Sequence, residues 1–250
     1  MKTKFRKQAQ IEMPIVPTIV HLDLYRHDIV KALEDGTNIG IELGVAKGIF
    51  SERMLNSGKF KHFFGVDVYG DIHDINEYKY ALRRLGLLSN YRLLRMTFSE
   101  ALDLFEDEFF DFIYVDGFAH TGEEGGETLV QWYRKLKVGG IMAGDDYHDD
   151  WPLVKWAVNN FASEIQVELN VTGNRETVEY CEYPSWFFAK RCSAPEKISL
   201  SRKLKKVAES EKHRIYKNRI GKTAKLKGAL RSALQSLGLL GVVKTLLRYD

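Results

Sequence analysis

The sequence predicts an α/β protein built on an open, doubly wound sheet of seven strands, mostly parallel with an antiparallel last strand, followed by a basic helical tail. Three observations predict it. Short apolar runs alternate with amphipathic stretches from about residue 20 to 190, the pattern of strands joined by crossover helices. The last two candidate strands are separated only by residues 172–183, with Gly173-Asn174 as a turn signal, so they form a hairpin. Past Ser193–Pro195 the composition turns basic.

The elements follow in order. Residues 39–43 are a short apolar run that delivers Glu42 to the sheet edge, and Gly44-Val-Ala-Lys-Gly48 follows. Gly44 lets the chain turn without a Cβ, and Gly48 admits close approach of the next helix, 51–56, to a ligand. Strand 62–67 ends in Gly65-Val66-Asp67 and is followed by helix 75–85. After strand 91–94 comes helix 99–105, with Ser99 and Glu100 near its start, where short oxygen side chains cap. Strand 111–115, helix 123–136, strand 140–145 and helix 153–161 continue the alternation, and strands 165–171 and 185–190 close it. The expected organisation is an N-terminal helical segment 1–35 without a legible motif, a domain 36–192 and a tail 193–250.

The 250 residues, 44% of them hydrophobic, suffice for one sizeable α/β domain and an appendage. A net charge of +3 hides an asymmetry: residues 193–250 hold 15 Lys/Arg against 4 Asp/Glu, a net +11, which leaves residues 1–192 at −8. The tail carries Leu226, Leu230, Ala233, Leu234, Leu237, Leu240, Val243 and Leu247 at spacings of three and four, an amphipathic basic helix suited to an anionic membrane surface, to a partner helix or to a second copy. Nucleic acid would not need that apolar stripe. Cys181 and Cys192 form no CxxC pair, which fits a reducing compartment and no structural zinc. The charged N-terminus lacks a signal-length apolar core, and no apolar run approaches the roughly 20 residues that span a bilayer. The expected location is cytoplasmic, with peripheral contact at the inner membrane face through the tail.

Asp67 lies 19 residues beyond Gly48 at a strand end, where an acid accepts hydrogen bonds from ribose hydroxyls. Dinucleotide enzymes share that device, but the loop has no third glycine and places an acid two residues before Gly44. With these, the chain resembles the class I S-adenosylmethionine-dependent methyltransferases over about residues 20–190. The resemblance rests on Glu42-Leu-Gly-Val-Ala-Lys-Gly48, Val66-Asp67, Asp111-Phe-Ile-Tyr-Val-Asp-Gly117, Leu136-Lys-Val-Gly-Gly140 and Gly144-Asp-Asp-Tyr147. It implies a Rossmann-like sheet, S-adenosylmethionine as cofactor, and contacts to it from Glu42, Gly44, Gly48, Asp67 and Asp116. Ser99 falls where adenine contacts are made, and a plain helix cap is the alternative.

Asp116, Asp145 and Asp146 each end a predicted strand, so in a parallel sheet they converge on one rim. Converging acids repel, and a hard cation such as Mg²⁺ relieves that; a turn with a helix cap before Trp151 is the alternative for the last two. The arrangement is similar to the metal-dependent O-methyltransferases of sugars and catechols, and most of all to the macrocin O-methyltransferase-like family. There the strand-end acids hold the metal and a histidine after the first acid acts as base. In Asp116-Gly-Phe-Ala-His120 the histidine stands four residues on rather than the family's three, and His148 is the reserve. No Asn/Asp-Pro-Pro-Tyr motif follows Val115, which favours oxygen over amino nitrogen as acceptor. Residues 69–88, with Asp71, His73, Asp74 and Tyr78, follow the ribose strand and could cover the site. The expected activity is metal-assisted methyl transfer to a hydroxyl of a sugar, glycan or other small molecule. Its alternatives are an RNA methyltransferase anchored by the tail and a non-catalytic scaffold.

Overall fold

The computed structural model describes residues 17–70, 74–117, 121–175 and 181–218. The chain divides into two compact units, Met1–Ala208 and Glu209–Asp250. In the second, residues 209–218 are helical and Arg214 pairs with Glu211. The apolar-basic stripe of residues 226–247 lies outside the described residues.

In the first unit, β1 (Ile19–Leu22), β2 (Asn38–Leu43), β3 (Phe60–Val66), β4 (Tyr91–Leu94), β5 (Phe110–Val115), β6 (Leu136–Gly144), β7 (Leu169–Thr172) and β8 (Trp186–Ala189) form one sheet in the order β1-β7-β8-β6-β5-β2-β3-β4. Pairing is parallel except where β8 lies between β6 and β7. The predicted hairpin is therefore present, and the mostly parallel, doubly wound sheet is the predicted one with an added strand. That strand is β1, in a stretch expected to be helical. Four residues carry too little periodicity to announce themselves, and the ladder to β7, extended by bonds from Leu169 N to Thr18 O at 2.9 Å and Gly173 N to Leu22 O at 2.7 Å, selects the extended form. A 3-10 helix, Arg26–Ala32, follows.

The crossover helices are α1 (Ile49–Asn56), α2 (Ile75–Leu85), α3 (Phe98–Leu102), α4 (Glu127–Tyr133) and α5 (Pro152–Glu164). Helix α4 starts later than the predicted residue 123 because Gly125 and Gly126 both take positive φ. Central strands bury both faces, as parallel strands under two helical layers must. Ile113, Val115 and Met142 join one core with Trp132, Trp156 and Phe161 of α4 and α5, on which Leu200, Leu204 and Ala208 also pack. Their neighbours Phe112, Tyr114, Ile141 and Ala143 join the other, with Ile29 and Val30 of the 3-10 helix and Phe50 and Met54 of α1. Among the described residues no helix is long and apolar enough to cross a membrane.

Candidate active site at the carboxyl edge of the sheet

Strand register aligns the functional side chains. Leu43 pairs with Val66 and with Val115, and Val115 pairs with Gly144, so the next residues, Gly44, Asp67, Asp116 and Asp145, form one row at the carboxyl edge. The strand order turns back between β2 and β5, the switch point where open α/β sheets bind ligands. Antiparallel β8 starts level with Gly144, which places Ser185 in the same row. Four of the residues expected at the site, Gly44, Asp67, Asp116 and Asp145, thus lie level with one another.

The loop after β2 is tightly held. Gly44 has φ +99°, and a Cβ there would stand 2.7 Å from Gly117 N and 2.9 Å from Asp116 C. The bare glycine lets Asp116 and Gly117 donate to Leu43 O at 2.8 and 2.6 Å. Asp67 binds the loop directly: its Oδ2 accepts from Val45 N at 2.9 Å and Ala46 N at 3.0 Å, and its Oδ1 from Tyr69 N at 2.9 Å. A carboxylate has about four acceptor positions, so about one remains for a further donor. Gly48 caps α1 at φ +76°, and a Cβ there would meet Leu85 of α2 at 2.9 Å, so its smallness serves the packing of α1 on α2. Glu42 is 1% exposed and accepts a hydrogen bond from Ser51 of α1. Burial raises its carboxyl well above the ordinary range, with Ser51 opposing, so Glu42 is a buried anchor beneath the loop.

The acidic rim departs most from expectation. Arg26, the first residue of the 3-10 helix and 2% exposed, donates through Nη2 to Asp116 Oδ2 at 2.8 Å and through Nη1 to Asp145 Oδ2 at 3.0 Å. The guanidinium carbon lies 4.6 Å from the Phe50 ring centre and 4.8 Å from that of Tyr114, within cation–π range. Burial works against this charge, but Asp145, Tyr114 and Asp116 outweigh it and hold Arg26 protonated beyond its ordinary range. Asp145 also accepts from Ser185 Oγ at 3.1 Å, and Ser185 Oγ lies 2.8 Å from Tyr114 Oη. Asp116, Asp145 and Asp146 therefore do not fit the expected Mg²⁺ set: the cation their charges call for is the arginine. Among the described residues no group of three or more His, Cys, Asp or Glu is arranged to hold a metal.

Asp146 relieves the remaining repulsion by holding a proton. It is buried, and desolvation, then the charges of Asp145 and Asp116, push its carboxyl up to about 9. Because this lies above its ordinary 3.8, the folded chain keeps a proton that the unfolded chain releases. The stability that proton confers is full below about pH 4 and is lost as pH rises toward about 9. Asp146→Asn should remove the dependence, since asparagine tolerates the φ of +59° at this position. Urea denaturation should find it about 1 kcal/mol or more stabler than wild type near pH 8.5, with the two converging near pH 4.

His120, like Asp71 and His73, lies outside the described residues. His148 Nδ1 accepts from Asp150 N at 3.2 Å and lies 3.5 Å from Asp150 Oδ2, so the neighbouring turn already engages the nitrogen lone pair a base would use. The cap of α3 is Thr97, not Ser99: Thr97 Oγ1 accepts from Glu100 N at 3.2 Å, and Glu100 Oε2 accepts from Thr97 N at 2.8 Å. Ser99 is exposed on the first turn, and the ring of Phe98 takes the space that a side chain at position 117 would need. Arg26, Tyr114 and Ser185 escaped the sequence reading. Their one signal was indirect: a −8 domain with clustered acids needs an internal cation.

Residues 39–147, from β2 to just past Asp146, match a family model described as a methyltransferase domain. The fold is also that of a provisionally assigned O-methyltransferase from Klebsiella pneumoniae (TM-score 0.51, 13% identity, covering 76% of this chain and 87% of that one) and of spermidine synthase from Thermotoga maritima (TM-score 0.50, 15% identity, 74% and 69%). A provisionally assigned sarcosine dimethylglycine methyltransferase from Galdieria sulphuraria is similar at 22% identity over 47% of this chain, which spans only 42% of that protein (TM-score 0.37). Among curated proteins the sequence finds no match. Residues 39–147 are thus similar to methyltransferase domains, and the two solved structures named first share the fold. The domain match is general and does not single out the macrocin-type family.

Proposed function

We propose that this chain is an S-adenosylmethionine-dependent methyltransferase acting on a hydroxyl of a sugar, glycan or other small hydroxylated molecule. The observation that carries this reading is Asp116: its side chain is 25% exposed beside the Gly44 loop, while Arg26 grips one of its oxygens. When bound, S-adenosylmethionine supplies a methyl group already activated on a sulfonium. The chain's tasks are then to align an oxygen with that methyl, exclude water and receive the hydroxyl proton. Gly44 and the Val45 and Ala46 amides would hold the methionine end, Asp67 would accept from a ribose hydroxyl, and Asp116 would take the proton.

The acidic rim and the −8 charge of residues 1–192 favour an uncharged acceptor over a phosphate-rich one. The test is methyl-labelled S-adenosylmethionine with a panel of sugars, glycans, catechols, amines and RNA. The expected product is a methyl ether, formed about 100-fold more slowly by Asp116→Asn with S-adenosylhomocysteine affinity unchanged. Label on nitrogen, carbon or RNA, or full turnover by Asp116→Asn, would contradict the reading.

A further inference from the structure

The geometry points to Arg26 as the built-in cation of the rim: it closes the Asp116–Asp145 pair against a divalent metal and positions Asp116 for its work. Three independent fixings deliver it. Strand β1 adds to the sheet edge through β7, which carries the following turn to the carboxyl rim. The 3-10 helix is closed at its start by Tyr25 N donating to Asp28 Oδ2 at 3.1 Å, and its Ile29 and Val30 are buried against the same core as Phe50 and Tyr114. The guanidinium then lies beside those two rings with one nitrogen on each carboxylate.

A rigid planar fork spans two carboxylates in a way a flexible ammonium does not. It fixes the separation and plane of Asp116 and Asp145, with Ser185 holding Asp145 through its other oxygen, Oδ1. A metal using the two Oδ2 atoms would have to expel a buried, ring-stacked arginine. Arg26 itself is too buried to touch an acceptor, so its part is positioning. The claim about metal stands independently of the acceptor; the claim that Arg26 aims Asp116 rests on the reading of Asp116 as proton acceptor.

The experiment is Mn²⁺ titration followed by electron paramagnetic resonance, on the full chain as wild type, Arg26→Ala, Arg26→Ala/Asp145→Asn and Arg26→Lys. Wild type and Arg26→Lys should leave the free Mn²⁺ signal undiminished. Arg26→Ala should gain a site at least about tenfold tighter than any in wild type, lost again in the double variant. Arg26→Lys, which keeps the charge without the fork, should turn over about tenfold more slowly or worse at unchanged cofactor affinity. Stoichiometric Mn²⁺ binding by wild type that Asp145→Asn abolishes would overturn the proposal even if Arg26→Ala failed to fold. So would an Arg26→Ala protein no better at binding Mn²⁺ than wild type, or an Arg26→Lys protein at full turnover. Absence of hydroxyl methylation by wild type would sink the acceptor reading and leave the Mn²⁺ result standing.

Discussion

Arg26→Ala should lose about 3–5 kcal/mol of stability in urea denaturation near pH 8, because it strands Asp116 and Asp145 as neighbouring charges at the edge of the core. Against the roughly 5–15 kcal/mol that holds a typical domain together, that is a large share. The charges make the loss pH-dependent. Burial raises the Asp145 carboxyl to about 6, with Arg26 opposing, and without Arg26 Asp145 would take up its proton at higher pH still. The deficit should therefore shrink as pH falls from about 8 toward about 6 and level off below that, where Asp145 of wild type is protonated as well. A deficit independent of pH would indicate lost packing against Phe50 and Tyr114 rather than lost charge compensation.

Gly44→Val should abolish cofactor binding and destabilise the fold by about 2–6 kcal/mol. Two costs add: a β-branched residue at φ +99° pays roughly 1–3 kcal/mol of backbone strain, and its side chain overlaps the Asp116–Gly117 backbone, for about 1–3 kcal/mol more. The bonds from Asp116 N and Gly117 N to Leu43 O would stretch, moving the Asp116 carboxylate away from the loop. Calorimetry with S-adenosylhomocysteine and a urea melt measure the two effects separately. Gly139→Val is the control for strain alone: its φ is +86°, but no atom lies within 4 Å of an added Cβ, so it should leave cofactor binding intact.

The sheet was legible because its strands are apolar runs buried on both faces, with an acid or glycine following at the rim: Leu43-Gly44, Val66-Asp67, Val115-Asp116 and Gly144-Asp145. The register that makes these residues level is a property of parallel pairing, and sequence order alone suggested it. Strand β1 was hidden because four edge residues take their conformation from β7. Arg26 was hidden for a related reason. It lies 90 residues from Asp116 and 119 from Asp145, and only β1 at the far edge of the sheet brings its turn over the rim. The acids read as a cluster needing a cation, and the cation is expected to be foreign because no lysine or arginine lies near them in sequence. The burial of Glu42 and its bond from Ser51 of α1 were likewise not legible, because they depend on how α1 packs back on β2.

We propose the row from Asp67 to Asp116 as the cofactor crevice. Isothermal titration of S-adenosylhomocysteine into wild type and Asp67→Ala tests it most directly. Wild type should bind one equivalent, and Asp67→Ala should bind about 10- to 100-fold more weakly, the loss expected for a charged acceptor that also ties down Val45, Ala46 and Tyr69. Absence of binding heat in wild type across temperatures, or equal affinity in the two proteins, would contradict it.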